Sequence, residues 1–228
     1  MEFRFFEIYR SNEFLLLLLQ GAKTSLVLTV IAGIFGFIFA AALAASRYFK
    51  IPVLRYFSLC FIELTRNTPL IVQLFFFAFG LPLLLGYQWP FWAHALLAIT
   101  LNFSAYFSEI LRAGFQEIDN GQREAAKALG IPAWISFYKI IFPQAVSKVF
   151  PSLSSQFIFL FLTTGIISEI GVVDLTQAGI FIDSRTFRTF EVFITLTVFY
   201  IALSIFLKSI LSVLQKYFFK WQFLSLMT

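Results

Sequence analysis

Ser25-Leu-Val-Leu-Thr-Val-Ile-Ala-Gly-Ile-Phe-Gly-Phe-Ile-Phe-Ala-Ala-Ala-Leu-Ala-Ala-Ser46 contains no charged residue. Wound as an α-helix, it is long enough to cross about 30 Å of hydrocarbon, and it predicts a membrane span. The run stops at Arg47, Lys50 and Arg55, with Pro52 breaking the helix. The whole chain reads the same way: 60% of its 228 residues are hydrophobic, 20% aromatic and only 13% charged, and its mean hydropathy is +0.86. Soluble domains carry about a quarter charged residues, so an ordinary soluble enzyme is excluded. The length suits a single all-α membrane domain of about five spans with short connections.

Working outward, Asn67 to Ser108 holds no acidic residue, lysine or arginine, and it is about twice one span long. Gly86-Tyr-Gln-Trp-Pro90 breaks it, which predicts two spans and a turn, with Trp89 and Trp92 at the outer interface. The first of these two spans begins near Phe57, passes Glu63 and Arg66, and resumes after Pro69. Span three runs from about Phe91 to Arg112, span four from Val149 to Ser168, and span five from Val192 to Phe206 with a less apolar helical extension. Gln116 to Pro143 and Glu169 to Glu191 read as polar loops. Arg47, Lys50, Arg55, Arg112, Arg123, Lys127, Lys139, Lys148, Lys208, Lys216 and Lys220 then gather on one side. Basic residues favour the cytoplasmic side, so the amino terminus is expected outside and the carboxyl terminus inside. The expected organisation is an external or interfacial segment 1–20, a transmembrane domain 21–218 containing the loop 116–143, and a cytoplasmic tail 219–228.

The formal charge of +5 does not point to nucleic acid, because the basic residues lie between hydrophobic runs rather than on one soluble face. Most of the thirty-three phenylalanines read as lipid-facing bulk. Cys60 is a single cysteine and cannot form an intrachain disulfide, and a single histidine, His94, supports no multi-histidine metal site. The amino terminus, with Glu2, Arg4, Glu7, Arg10 and Glu13, lacks a signal-peptide pattern and reads as retained. No Gly-x-x-x-x-Gly-Lys-Ser/Thr run is present to cradle nucleotide phosphates, and no nucleophile and base stand in motif context, so no catalytic residue is assigned.

The loop Asp119-Asn-Gly-Gln-Arg-Glu-Ala-Ala-Lys-Ala-Leu-Gly130 followed by Ile131-Pro-Ala-Trp134 has the grammar of two short helices. Asp119 or Asn120 can cap the first, the alanines favour it, Gly130 can end it, and Pro132 suits the first turn of the second. Two readings follow from the residues alone. The loop is either a solvated helix, or a docking surface on which small residues allow close approach while Arg123, Glu124 and Lys127 set the register.

Glu124-Ala125-Ala126, Gly130, Ile141 and Pro143-Gln144 resemble the EAA loop of importer permeases of the ATP-binding cassette class. Glu63-Leu-Thr-Arg66-Asn-Thr68-Pro-Leu-Ile-Val-Gln73 resembles a segment of the polar amino acid branch of that family, with Asn67 in place of the usual glycine. Asn102-Phe-Ser-Ala-Tyr106-Phe-Ser-Glu109-Ile-Leu-Arg112-Ala-Gly114 and Thr164-Gly-Ile-Ile-Ser168-Glu169-Ile-Gly171-Val with Asp174-Leu-Thr are similar to two more. The chain departs from that pattern at Leu162, Gly165 and Glu169, and its tail has Gln215-Lys216-Tyr217 where the family carries Glu-Arg-Arg. The resemblance implies a type I, MetI-like permease subunit in a bacterial cytoplasmic membrane. It also implies a coupling helix carrying Glu124, Ala125, Ala126 and Gly130. The implied partners are two cytoplasmic ATPases that use ATP and Mg, a second permease copy or paralogue, and an external solute-binding protein. The chain itself would bind no cofactor, and its cargo would be a polar amino acid.

A charge at bilayer depth costs about 2.5 kcal/mol or more, so Glu63, Arg66 and Glu109 should face protein or a water-filled path. Each either lines that path or closes an ion pair, Glu63 with Arg66 and Glu109 with Arg112. Thr68, Gln73, Asn102, Thr163, Thr164 and Ser168 join them as pathway candidates, and the last four are able either to bind a zwitterion near the midplane or to hold helices together. Glu169 would favour a cationic substrate if it lies beside the path, and it is otherwise a headgroup-region acid. The rivals are a permease of the same class for another small solute, and an ion-coupled carrier or channel in which the same charges line a conduction path.

Overall fold

The computed structural model describes residues 5–219, and every regular element among them is helical. Residues 1–4 and 220–228 lie outside the described residues, and with them go Glu2, Arg4, Lys220 and nearly all of the expected tail.

A single turn, α1 (Phe6–Tyr9), precedes α2 (Asn12–Tyr48), whose 37 residues extend about 55 Å. The helix was expected over Ser25–Ser46 and begins earlier, at Asn12, where the Ser11 hydroxyl accepts from Phe14 N. It runs through Lys23 unbroken because that side chain points outward and its long stem can lie along apolar surface. Gly21, Ser25, Leu28, Ala32, Gly36, Ala40 and Leu43 recur at intervals of three and four and form the buried stripe. Small residues there let α2 approach α6 (Phe91–Gln116) closely; a Cβ on Gly36 would lie 3.3 Å from the carbonyl oxygen of Thr100.

Helix α6 is the middle of the bundle, with Ala95, Ala98, Asn102, Ala105 and Leu111 buried against α2 and α9. Three described helical stretches are long and apolar enough to cross a membrane: Asn12–Tyr48, Ala133–Ile170 and Thr189–Phe218. The bent pair Pro52–Arg66 and Leu70–Leu85 makes a fourth if it counts as one span. Helix α6 is long enough at 26 residues but carries His94, Asn102, Ser104 and Ser108 inside it. Neighbouring helices screen those groups from lipid, so the least apolar long helix is the central one.

Between α2 and α6 lie α3 (Pro52–Arg66), α4 (Leu70–Phe75), a π-helical turn (Phe76–Gly80) and α5 (Leu81–Leu85). The chain bends by 107° between α3 and α4. Asn67 caps the end of α3, and Pro69, extended at ψ 139° and without an N–H, starts α4. After α6 come α7 (Asn120–Ala128), α8 (Ala133–Ser136), a π-helical turn (Phe137–Ile141), α9 (Phe142–Thr163) and a 3₁₀ helix (Thr164–Ile170).

Glu169 to Glu191, expected to be a polar loop, instead contains α10 (Leu175–Thr186), packed against α2 and against α11 (Thr189–Phe218). Leu175, Ala178 and Ile182 form its buried face, joining Ile8, Leu18, Ala22, Val192 and Leu196 in a second core. The corner that seats α10 is tight. Leu175 N donates to the Ser25 hydroxyl at 3.2 Å, and a Cβ on Gly21 would lie 2.5 Å from the carbonyl oxygen of Asp174. Because the obstacle is backbone, Gly21→Ala should cost about 1–3 kcal/mol and lower the melting temperature in detergent by several degrees. An unchanged melt would mean that α10 can slide away from α2.

Asp174 caps α10, accepting from Gln177 N at 2.8 Å, and is fully buried. Burial pushes its carboxyl up to about 6 despite the hydrogen bonds that oppose the shift. The native state therefore holds this proton more tightly than the unfolded chain does. The corresponding stability is fully present below the unfolded carboxylate pKa of about 4 and is lost as pH rises through about 6. Asp174→Asn should flatten the dependence of melting temperature on pH across that window.

Helix α2 ends with Ile51 N donating to Ser46 O at 3.1 Å and Lys50 in the left-handed region at φ 53°. Glycine is the usual occupant of that position. Lys50→Gly should relieve about 1 kcal/mol of backbone strain and raise the melting temperature, whereas Lys50→Gln should not.

Candidate functional site

The α3–α4 bend is stitched by side chains. Gln73 Nε2 donates to Thr65 O at 2.8 Å and to the Thr68 hydroxyl at 2.6 Å, and that hydroxyl donates to Leu64 O at 2.9 Å. Asn102 Nδ2 of α6 donates to Gln73 Oε1 at 3.0 Å. These bonds satisfy the backbone that Pro69 leaves open and tie the bend to the central helix. Beside it opens a cavity of about 580 Å³, walled by Arg66, Thr68, Asn102, Phe103, Tyr106, Phe159 and Thr163. The Arg66 guanidinium lies 5.6 Å from the centre of the Tyr106 ring, within cation–π range.

Of the expected pathway residues, Arg66, Thr68, Asn102 and Thr163 share this cavity, with Gln73 bonded to two of them. The others lie elsewhere. Glu63 is exposed and accepts from Asn67 Nδ2 at 3.1 Å instead of pairing with Arg66. The buried Thr164 and Ser168 donate to Phe161 O and Gly165 O, both at 2.7 Å, and so hold the 3₁₀ turn. Glu169 is exposed on that turn and does not line the cavity. Glu109 sits at the far end of α6 in an ion pair with Arg112 at 2.9 Å and in a second with Arg47 of α2. The Arg112 pair matches one of the two sequence readings; Arg47 was not anticipated. The aromatic walls Phe103, Tyr106 and Phe159 were also missed, although Tyr106 lies one turn after Asn102 and shares its face.

The 116–143 loop forms the second feature. Asp119 Oδ1 accepts from Gly121 N at 3.0 Å to start α7. Ile131 N donates to Ala126 O at 3.0 Å to end it, with Gly130 left-handed at φ 71°. Pro132 is the cap of α8 rather than a residue of its first turn. Glu124, Ala125 and Lys127 face outward, and beside them Leu129 and Trp134 are 77% and 67% exposed. Ala126 faces inward at 3% exposure.

Arg123 also turns inward, away from the outer face expected for it. Its Nη2 donates to Phe115 O at 2.5 Å, and its guanidinium lies 5.3 Å from the Tyr48 ring. Gln144 donates to Gln122 at 2.7 Å and Lys148 to Glu117 O at 2.8 Å, fixing the loop to α9 and α6. Beneath it, Phe137 of the π turn packs on Tyr48, Phe49 and Phe115 with ring centres 4.7, 4.9 and 5.2 Å away. These contacts join α2, α6 and the start of α9 through close-packed rings beneath one exposed helix.

Residues 32–220 match the family described as binding-protein-dependent transport system inner membrane component. The chain belongs to that family. It is thus a permease subunit of an ATP-binding cassette importer and a multi-pass inner-membrane protein. The permease is 34% identical over 202 residues to the putative glutamine transport system permease protein GlnP of Rickettsia bellii, covering 89% of this chain and 93% of that one. It is likewise 34% identical over 202 residues to the glutamine transport system permease protein GlnP of Escherichia coli K12, covering 88% and 92%. Its fold superposes on a solved amino acid ABC transporter with histidines at TM-score 0.84 and 31% identity, over 95% of this chain and 99% of the other. The MetNI methionine transporter in an inward-facing form shares the fold at TM-score 0.76 and 18% identity, over 91% and 99%. The permease thus has the MetI-like architecture that the loop resemblance implied.

His94 of the permease is buried at 2% exposure beside Tyr87 and Trp89, with ring centres 5.7 and 6.0 Å away. It packs as an aromatic at the start of α6.

Proposed function

We propose that this permease carries a polar amino acid with an uncharged side chain, glutamine first among candidates, through the cavity beside the α3–α4 bend. The observation that carries the reading is the charge of the cavity wall: among the described residues it has one cation, Arg66, with the neutral polar groups of Asn67, Thr68, Asn102 and Thr163 and no carboxylate. A substrate α-carboxylate would pair with Arg66, and the hydroxyls and amide would take the ammonium and the side-chain amide. Glu169, which could have favoured a cationic cargo, is outside the wall. The glutamine assignment also draws on the names of the relatives described above.

In this reading the amino terminus is external and the 116–143 loop cytoplasmic. A cytoplasmic ATPase, using its own ATP and Mg, receives Glu124, Ala125, Lys127, Leu129 and Trp134. Gly130 fixes the loop that presents them, and Ala126 supports the helix from within. A second permease copy or paralogue completes the path, and an external binding protein delivers the amino acid. Closure of the ATPase pair moves α7, and the aromatic cluster passes that movement to α2, α6 and α9, switching the cavity between outward and inward access.

Competition in reconstituted liposomes tests the cargo. Unlabelled glutamine, asparagine or histidine should suppress ATP-driven uptake of labelled glutamine, whereas lysine, arginine and glutamate should not. Suppression by lysine or arginine alone would overturn the neutral-substrate assignment.

A further inference from the structure

At the end of the bundle that carries the 116–143 loop, a second pocket of about 300 Å³ opens between α2, α3 and α6. Its wall brings together Arg47, Lys50, Arg55, Arg112 and Arg123, with Leu59 on the α3 side. One carboxylate, Glu109, reaches this group and is divided between Arg47 and Arg112. Arg123 is held by Phe115 O and the Tyr48 ring. Lys50 and Arg55 are exposed, and among the described residues neither has an ion pair. With Glu109 offsetting one charge, the four excess cations around so small a space repel one another unless a further anion joins them. Lys50 also occupies the left-handed position where glycine would be less strained, so its charge is kept at a backbone cost.

The surface that leads away from the pocket identifies the kind of anion. Along α3, Val53, Leu54, Tyr56 and Phe57 are 80%, 51%, 69% and 55% exposed. A basic pocket whose rim continues into an apolar helix face suits an amphiphile, with the phosphate inside and the acyl chains along the helix. We propose that this pocket binds the phosphate headgroup of an anionic phospholipid. Arg123, Tyr48 and Phe115, which hold α7 in place, form part of the same wall or border it, so the bound lipid braces the docking loop.

Native mass spectrometry and thermal melts of the purified full chain in detergent test this. Dioleoylphosphatidylglycerol, dioleoylphosphatidylcholine, glycerol 3-phosphate and inorganic phosphate are the four probes. The phosphatidylglycerol should be retained as an adduct and raise the melting temperature, and the phosphatidylcholine should do neither at the same concentration. Lys50→Gln/Arg55→Gln should weaken phosphatidylglycerol retention about tenfold or more, while Lys208→Gln/Lys216→Gln on α11 leaves it unchanged. Lys50→Gly gives an independent arm: it should raise the melting temperature without lipid yet weaken phosphatidylglycerol binding, a pair of effects that misfolding cannot produce. Equal retention of both lipids, or equal retention by wild type and Lys50→Gln/Arg55→Gln, would overturn the proposal. A melt raised equally by glycerol 3-phosphate or inorganic phosphate would make the ligand a free phosphate and overturn the lipid assignment.

Discussion

Glu124→Arg/Leu129→Asp should abolish recruitment of the ATPase while leaving the permease folded. Glu124 is exposed on α7, and Leu129, at its end, exposes 77% of its surface, with nothing among the described residues to cover it. The internal supports of the helix are other residues: Ala126, Arg123 and Gln122 hold it to the bundle, and Gly130 turns the chain at its end. The double change reverses one charge and places a carboxylate where an apolar contact is expected. Two contacts of hot-spot size lost together weaken docking by about 100-fold or more. The check is co-purification with the ATPase alongside a thermal melt of the permease alone. Lost co-purification with an unchanged melt is expected. Full co-purification would mean that the ATPase grips some other part of the loop.

The second large effect belongs to Arg66. Among the described residues it is the single cation in the wall of the cavity beside the α3–α4 bend, and Tyr106 is its ring neighbour. If the substrate carboxylate supplies its missing anion, Arg66→Gln removes a charge-assisted hydrogen bond worth about 1.5–3 kcal/mol. Glutamine uptake should then fall by about 10- to 100-fold at low substrate, with a smaller loss for Arg66→Lys because the charge survives. Removing the cation should also narrow the discrimination against lysine and arginine. Uptake unaffected by Arg66→Gln would place the carboxylate elsewhere in the path.

Much of the architecture was legible because lipid and water select residues so differently. Ser25–Ser46 could only be a span, and Pro69 announced a break because its ring removes a backbone donor. Helix α10 was not legible for a physical reason. Its buried stripe is short, Leu175, Ala178 and Ile182, and the Gln177, Asp183, Arg185 and Arg188 around it make the segment polar on average. Hydropathy averages over faces, so a small amphipathic helix seated between two longer ones disappears into its own polar side.

The site was legible in part. Arg66, Thr68 and Asn102 stood out as polar groups inside apolar runs, and the cavity gathers them. Thr163, Thr164 and Ser168 could not be separated, because the helix tightens from α to 3₁₀ at Thr164 and the change of pitch decides which hydroxyl meets the cavity. Nor could any local pattern have shown that Glu109 pairs with Arg47, since the two meet only when α2 packs on α6. The same holds for Arg123, whose position on α7 suggested a partner-facing charge. The carbonyl of Phe115 and the ring of Tyr48 draw it inward.

The most direct measurement is uptake of labelled glutamine into liposomes holding the permease, its ATPase and its binding protein, with ATP inside and then with ATP replaced by an imposed ion gradient. Uptake that requires ATP, and that is lost in both Arg66→Gln and Glu124→Arg/Leu129→Asp, is the predicted result. Uptake driven by the ion gradient without ATP, and indifferent to the α7 substitutions, would contradict the account.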